Sequence, residues 1–170
     1  MVNLDKLQEF IHMGRLAPKP SSLVTMRDLL ESGLISSVKD GVKLLSRGKK
    51  IFSVPIHLEV SSASNAAIAA VEKAGGTVTC SHFTDLTLRA LLKPHKFDIL
   101  PRRPRPSPKL MDFYLDRSKS GYLSPEVQIR NLKMFGNVTS EEIYRTEHEN
   151  LMNSKRKLKR EQFEKEEVSE

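Results

Sequence analysis

Residues 41–80 read GVKLLSRGKKIFSVPIHLEVSSASNAAIAAVEKAGGTVTC, and the apolar period changes along them. The opening GVKLL reads as a strand that turns at Arg47–Gly48. Beyond the turn, Phe52, Val54, Ile56, Leu58 and Val60 fall on one side, with Ser53, Pro55, His57 and Glu59 on the other. Strict alternation predicts a strand with one apolar face. Pro55 donates no ladder hydrogen bond, so this strand is expected at an edge or interrupted there. Ser64 then caps an alanine-rich helix closed by Gly75–Gly76, and Thr77–Cys80 is the next strand. Alanines at 66, 67, 69 and 70 allow close packing, leaving Ile68 and Val71 as anchors. LTLRALLKP (86–94) fits either period, and Pro94 so close behind favours a strand. Strand–turn–strand–helix–strand makes residues 41–98 an α/β or α+β core.

Upstream, residues 1–40 read as a helical segment. Asn3 caps a helix with Leu4, Leu7, Phe10 and Ile11 on one face and Gly14 as its stop. APKPSS is linker, and Thr25 with Asp28 forms a capping-box pattern before a two-turn helix ending at Gly33. Downstream, residues 99–109 (ILPRRPRPSPK) hold four prolines and four cations without an acid. Residues 110–136 offer two short amphipathic helices, the second opened by Ser124–Pro125 and closed by Gly136. Residues 137–170 have helical propensity and opposite charges at helical neighbours, such as Arg160 with Glu164, but little apolar seam. They read as a long charged C-terminal helix.

The net charge of +7 is unevenly placed: residues 89–119 carry nine bases against three acids. Such a local field favours a polyanion over a small acidic substrate. Proline stiffens the strap at 99–109, so its cations project from a backbone with little freedom left to lose. Three uses fit it: a solvated linker, a phosphate contact through Arg102, Arg103, Arg105 and Lys109, or a PxxP ligand built on Pro101 and Pro104. Arg47, Lys49 and Lys50 form a second cationic spot, which is either a solvated turn or an RNA contact. The run SKRKLKR (154–160) is a third, largely neutralised by the acids after it.

Catalytic constellations are weak. The lone Cys80 excludes an internal disulfide and fits a reducing compartment. Cys80 and His82 would share a strand face, but no third group orients them, so no catalytic residue is expected. Five histidines lack zinc spacing, and one cysteine supplies no structural metal site. Gly75–Gly76 lacks the phosphate-loop pattern, and helix capping accounts for it. Asp112 and Asp116 fit a solvated helix face. No aromatic pair has the spacing of an RNA-stacking sheet, so contact by shape and phosphate is favoured over base reading. No apolar run approaches a membrane span, and neither a cofactor nor a small-molecule substrate is expected.

The stretch 41–79 resembles the core of the large-subunit ribosomal protein fifteen family, most specifically in its paired strands and its Ser-led alanine helix ending Ala-Gly-Gly. NLDKLQEFIHMGRL (3–16) and LLKPHKF…GYLSPEVQIRNLKMFG (91–136) are similar to the mitochondrial branch. The resemblance implies an irregular β-β-α superhelical core with short flanking helices. It also implies a structural constituent of the mitochondrial large ribosomal subunit, with its rRNA and neighbouring large-subunit proteins as partners. The chain departs from the family pattern by starting after the Gly/Arg/Lys-rich extension that threads into rRNA. On this reading a targeting segment would lie upstream of Met1. The alternative, from another class, is an adaptor whose proline strap docks a protein domain.

Overall fold

The computed structural model describes residues 1–17, 23–136 and 148–157, with single positions 145 and 160. Six short strands, β1 (Val2–Asn3), β2 (Leu23–Val24), β3 (Lys43–Leu45), β4 (His57–Val60), β5 (Ser62–Ala63) and β6 (Thr77–Cys80), form two three-stranded sheets ordered β1-β3-β5 and β2-β4-β6. Every pairing is parallel. Parallel neighbours need a long crossover. Here the chain makes it by visiting the other sheet, so odd strands build one sheet and even strands the other. That alternation winds the superhelical α/β core that the family resemblance implied. Among residues 1–136 the α-helices are α1 (Leu4–His12), α2 (Met26–Glu31), α3 (Asn65–Lys73), α4 (Asp85–Leu92), α5 (Pro108–Leu115) and α6 (Pro125–Phe135).

Parallel sheets are covered on both faces, and this overturns the one-faced strand expected at 52–60. Ladder pairing begins only at His57, just past Pro55, and all four residues of β4 are buried. Interruption at the proline was the correct option; an edge position was not, because β4 is central between β2 and β6. The segment LTLRALL is also not a strand. It forms α4, opened by a capping box in which the Thr84 N–H meets Thr87 Oγ1 at 2.9 Å, with Leu88, Ala90 and Leu91 buried. Residues 1–40 contribute β1 and β2 as well as helices, and two-residue strands carry no period to read. The Thr25 capping box is present, with the Thr25 N–H donating to Asp28 Oδ2 at 2.7 Å.

The Ala-Gly-Gly end of α3 is used twice. Gly75 takes φ +85°, the left-handed turn of a helix stop. Gly76 is required for space, since a Cβ there would lie 2.2 Å from the Ile56 carbonyl oxygen. The helix thus turns straight into β6 against the chain leading into β4. Ile56, Leu58, Ile68 and Val71 share the resulting core. An Ile68→Ala variant should lose about 2–5 kcal/mol, the range for buried large-to-small changes. A urea melt showing under about 0.5 kcal/mol would mean α3 does not pack this way.

At the sheet border, Cys80 N–H donates to the Ser120 carbonyl (2.8 Å) and Tyr122 N–H to the Cys80 carbonyl (3.0 Å). Arg130 of α6 gives Nη2 to the Val78 carbonyl at 2.8 Å. Backbone groups of β6 that would otherwise form an open edge are satisfied by the segment after α5 and by α6.

Candidate nucleic-acid interface

Burial on both faces traps polar residues in the strands, and each needs a partner. His57 Nδ1 lies 2.9 Å from Thr77 Oγ1. Glu59 is 2% exposed and accepts from Ser81 Oγ at 2.6 Å. The proline strap supplies a cationic partner: Arg103 Nη2 stands 2.5 Å from Glu59 Oε1. The Arg103 guanidinium also lies 5.4 Å from the Phe83 ring centroid and 5.3 Å from that of Tyr122. Arginine suits such a place, being planar, weakly hydrated and always charged.

This geometry divides the strap cations. Arg103, which the sequence suggested as a surface phosphate contact, turns inward here and pairs with a buried acid. Arg102, Arg105 and Lys109 are exposed. The difference comes from position, because all three arginines have the same chemistry. Glu59 was the missed signal: an acid between Leu58 and Val60 on a central parallel strand requires a cation.

The prolines are also committed. Pro101 lines a pocket with Phe83, Leu91 and Leu100, and Pro104 lines a groove with Met111, Leu115 and Tyr122. Both are half-buried and Pro106 is buried. A PxxP ligand must offer both prolines to an aromatic groove, whereas these face the chain's own body.

The turn at Arg47 stands on a different support. Asp5 N–H donates to the Arg47 carbonyl at 3.1 Å, and Arg47 Nε pairs with Asp5 Oδ2 at 2.7 Å. Partial burial acts to raise the Asp5 carboxyl, but the Lys6 N–H and the Arg47 guanidinium outweigh it and leave the pKa below its ordinary value. Lys49 and Lys50 are exposed. The strap is held instead by Glu59 of β4 and the Phe83 and Tyr122 rings, so the two cationic groups are positioned separately. The third basic run lies only partly within the described residues. There Lys155 Nζ donates to the His95 carbonyl at 2.8 Å and His148 Nε2 lies 2.7 Å from the Phe97 carbonyl. This docks the 148–157 helix beside Lys93 and Lys96, a convergence of basic segments that the sequence did not suggest.

Cys80 and His82 are not arranged for catalysis. Cys80 is fully buried, and desolvation pushes its thiol up to about 12. The reactive thiolate is therefore scarce at neutral pH. His82 packs 5.5 Å from the Tyr114 ring.

With this architecture in view, the likeness to known proteins is specific. Residues 1–79 match the family described as ribosomal proteins 50S-L15 and 50S-L18e together with their 60S counterpart. The large ribosomal subunit protein uL15m of Neurospora crassa is 37% identical over 153 residues, covering 74% of this chain and 48% of that protein. The uL15m of Schizosaccharomyces pombe is 38% identical over 132 residues, covering 77% and 51% respectively. That of Danio rerio is 34% identical over 139 residues, covering 78% and 47%. The chain spans about half the length of these curated relatives. Family profile, relatives and the strand–helix–Gly-Gly core agree: this chain belongs to the L15 family of large-subunit ribosomal proteins.

Proposed function

We propose that this protein is a structural, non-catalytic constituent of the large subunit of the mitochondrial ribosome, where it meets rRNA through phosphates and touches neighbouring large-subunit proteins. The carrying observation is its identity with relatives named uL15m across about three quarters of its length. The strap supports phosphate contact in particular. Arg102, Arg105 and Lys109 are exposed, and no ion pair joins them to an acid among the described residues. At the other support, Lys49 and Lys50 are the exposed candidates. Arg47 joins them because an exposed pair such as Arg47–Asp5 is worth only about 0–1 kcal/mol, and phosphate can displace Asp5.

The tagged chain, mixed with mitochondrial large subunits depleted of the native protein, should co-sediment with them through a gradient. Recovery only at the top of the gradient would overturn the assignment. Cys80→Ser should co-sediment as the wild type does, because the buried thiol has no chemical role in this function. Loss of co-sedimentation by a folded Cys80→Ser protein would contradict a non-catalytic constituent.

A further inference from the structure

The strap has a three-residue rhythm. Over residues 99–106, Ile99, Arg102 and Arg105 are exposed; Leu100, Arg103 and Pro106 are half-buried or buried; Pro101 and Pro104 are half-buried between them. From Ser107, where α5 is capped, Ser107, Pro108 and Lys109 are all exposed. Polyproline II has three residues per turn, so positions three apart share a side. Prolines hold φ in this region, and Ser107 at the strap's end has φ −63° and ψ 157°. Arg102 and Arg105 therefore form one outward row, with backbone positions about 9 Å apart at the polyproline II rise. Arg103 lies on another row, a third of a turn away, and points into Glu59, Phe83 and Tyr122.

We propose that Arg103 is a keel: by locking into Glu59 it fixes the strap's rotation, so that Arg102 and Arg105 face a single phosphodiester backbone as a preset pair. This rests on the phosphate contact proposed above and adds its geometry. A strap without the keel could roll about its axis and would have to order both arginines on binding. With the keel, that ordering is complete in the free protein, which is how preorganisation raises affinity. Arg103 would then strengthen RNA binding without touching RNA.

The discriminating variant is Glu59→Gln/Arg103→Met. It removes one acid and one base, so the net charge is unchanged, and methionine fits between two rings. Replacing both members of a buried pair is commonly neutral for stability, and a melt checks this directly. Binding of the full chain to purified large-subunit rRNA is measured across a salt series. Arg102→Ala and Arg105→Ala should each lower the salt slope by about one. The charge-neutral variant should bind about tenfold more weakly at fixed salt, the loss expected from freeing two arginine side chains. In its background, Arg102→Ala should cost less than in the wild type, since a rolled strap no longer presents the pair.

Glu59→Gln alone is the second arm. It raises net charge by one, which by bulk attraction would tighten binding. The keel requires the opposite, weaker binding, because the inward pull on Arg103 falls. Wild-type affinity in the charge-neutral variant, or tighter binding by Glu59→Gln, would overturn the keel while leaving phosphate contact standing. Unchanged salt slopes in both the Arg102 and Arg105 variants would instead overturn the phosphate contact itself.

Discussion

An Arg103→Ala variant should be less stable by about 3–5 kcal/mol, the usual loss when one partner of a buried ion pair is removed. Glu59 is almost fully shielded, and the truncation takes away a guanidinium paired with its carboxylate, while the Ser81 hydroxyl remains among its partners. A neutral donor such as the Ser81 hydroxyl does less than a guanidinium to offset the hydration that a carboxylate gives up on burial. The same truncation empties the space between Phe83 and Tyr122, so packing is lost along with charge. Urea melts should show a lower midpoint at unchanged slope, the pattern of altered stability in an otherwise intact two-state fold. Adding Glu59→Gln to Arg103→Ala should restore part of the loss, because the buried charge is gone while the cavity remains. A loss below about 1 kcal/mol would mean that water reaches Glu59 and that the pair behaves like a surface contact.

The elements legible in the sequence were those whose causes are local. Helix α3 was readable because Ser64, the alanines and Gly75–Gly76 lie within one window. The capping pattern at Thr25–Asp28 and the proline start of α6 were readable for the same reason, whereas Pro108, read as part of the strap, is the first residue of α5. Strands β1 and β2 were not, since two residues hold no periodicity and their pairing with β3 and β4 is set by tertiary winding. Helix α4 differs from the strand its period allows because the Thr84–Thr87 capping box ahead of it starts a helix, and Pro94 behind it only ends one. The site was half legible. Composition pointed to a cationic strap at 99–109, but three arginines of one type cannot be ranked by charge. Two spatial facts separate them: the three-residue turn of a proline-held backbone, and a buried Glu59 within reach of one of its faces. The charged residue inside an apolar strand was visible from the start. Its meaning depended on knowing that β4 is covered on both sides.

Replacing Arg102, Arg105 and Lys109 together by alanine should weaken rRNA binding on the order of 10²–10³-fold at about 0.1 M salt, if each contacts one phosphate. The effect is large because every contact releases condensed counterions, and three contacts multiply. It should also be nearly blind to base sequence, since phosphates position a protein without reading bases. The fold should survive, because all three side chains are exposed and none closes a described ion pair. Here the variant contrasts with Arg103→Ala, which damages stability first. The salt slope should fall by about three, and the loss should shrink as salt rises and screening removes the advantage of the wild type. Pro101→Ala/Pro104→Ala keeps the three exposed cations, so its slope should remain that of the wild type. Its affinity should drop only modestly, through a looser strap. Titrating each protein into purified large-subunit rRNA at several salt concentrations measures slope and affinity together. A triple variant with the wild-type slope would show that the strap does not meet phosphate, and a prolines-only variant that binds worst would show that an aromatic groove holds it instead.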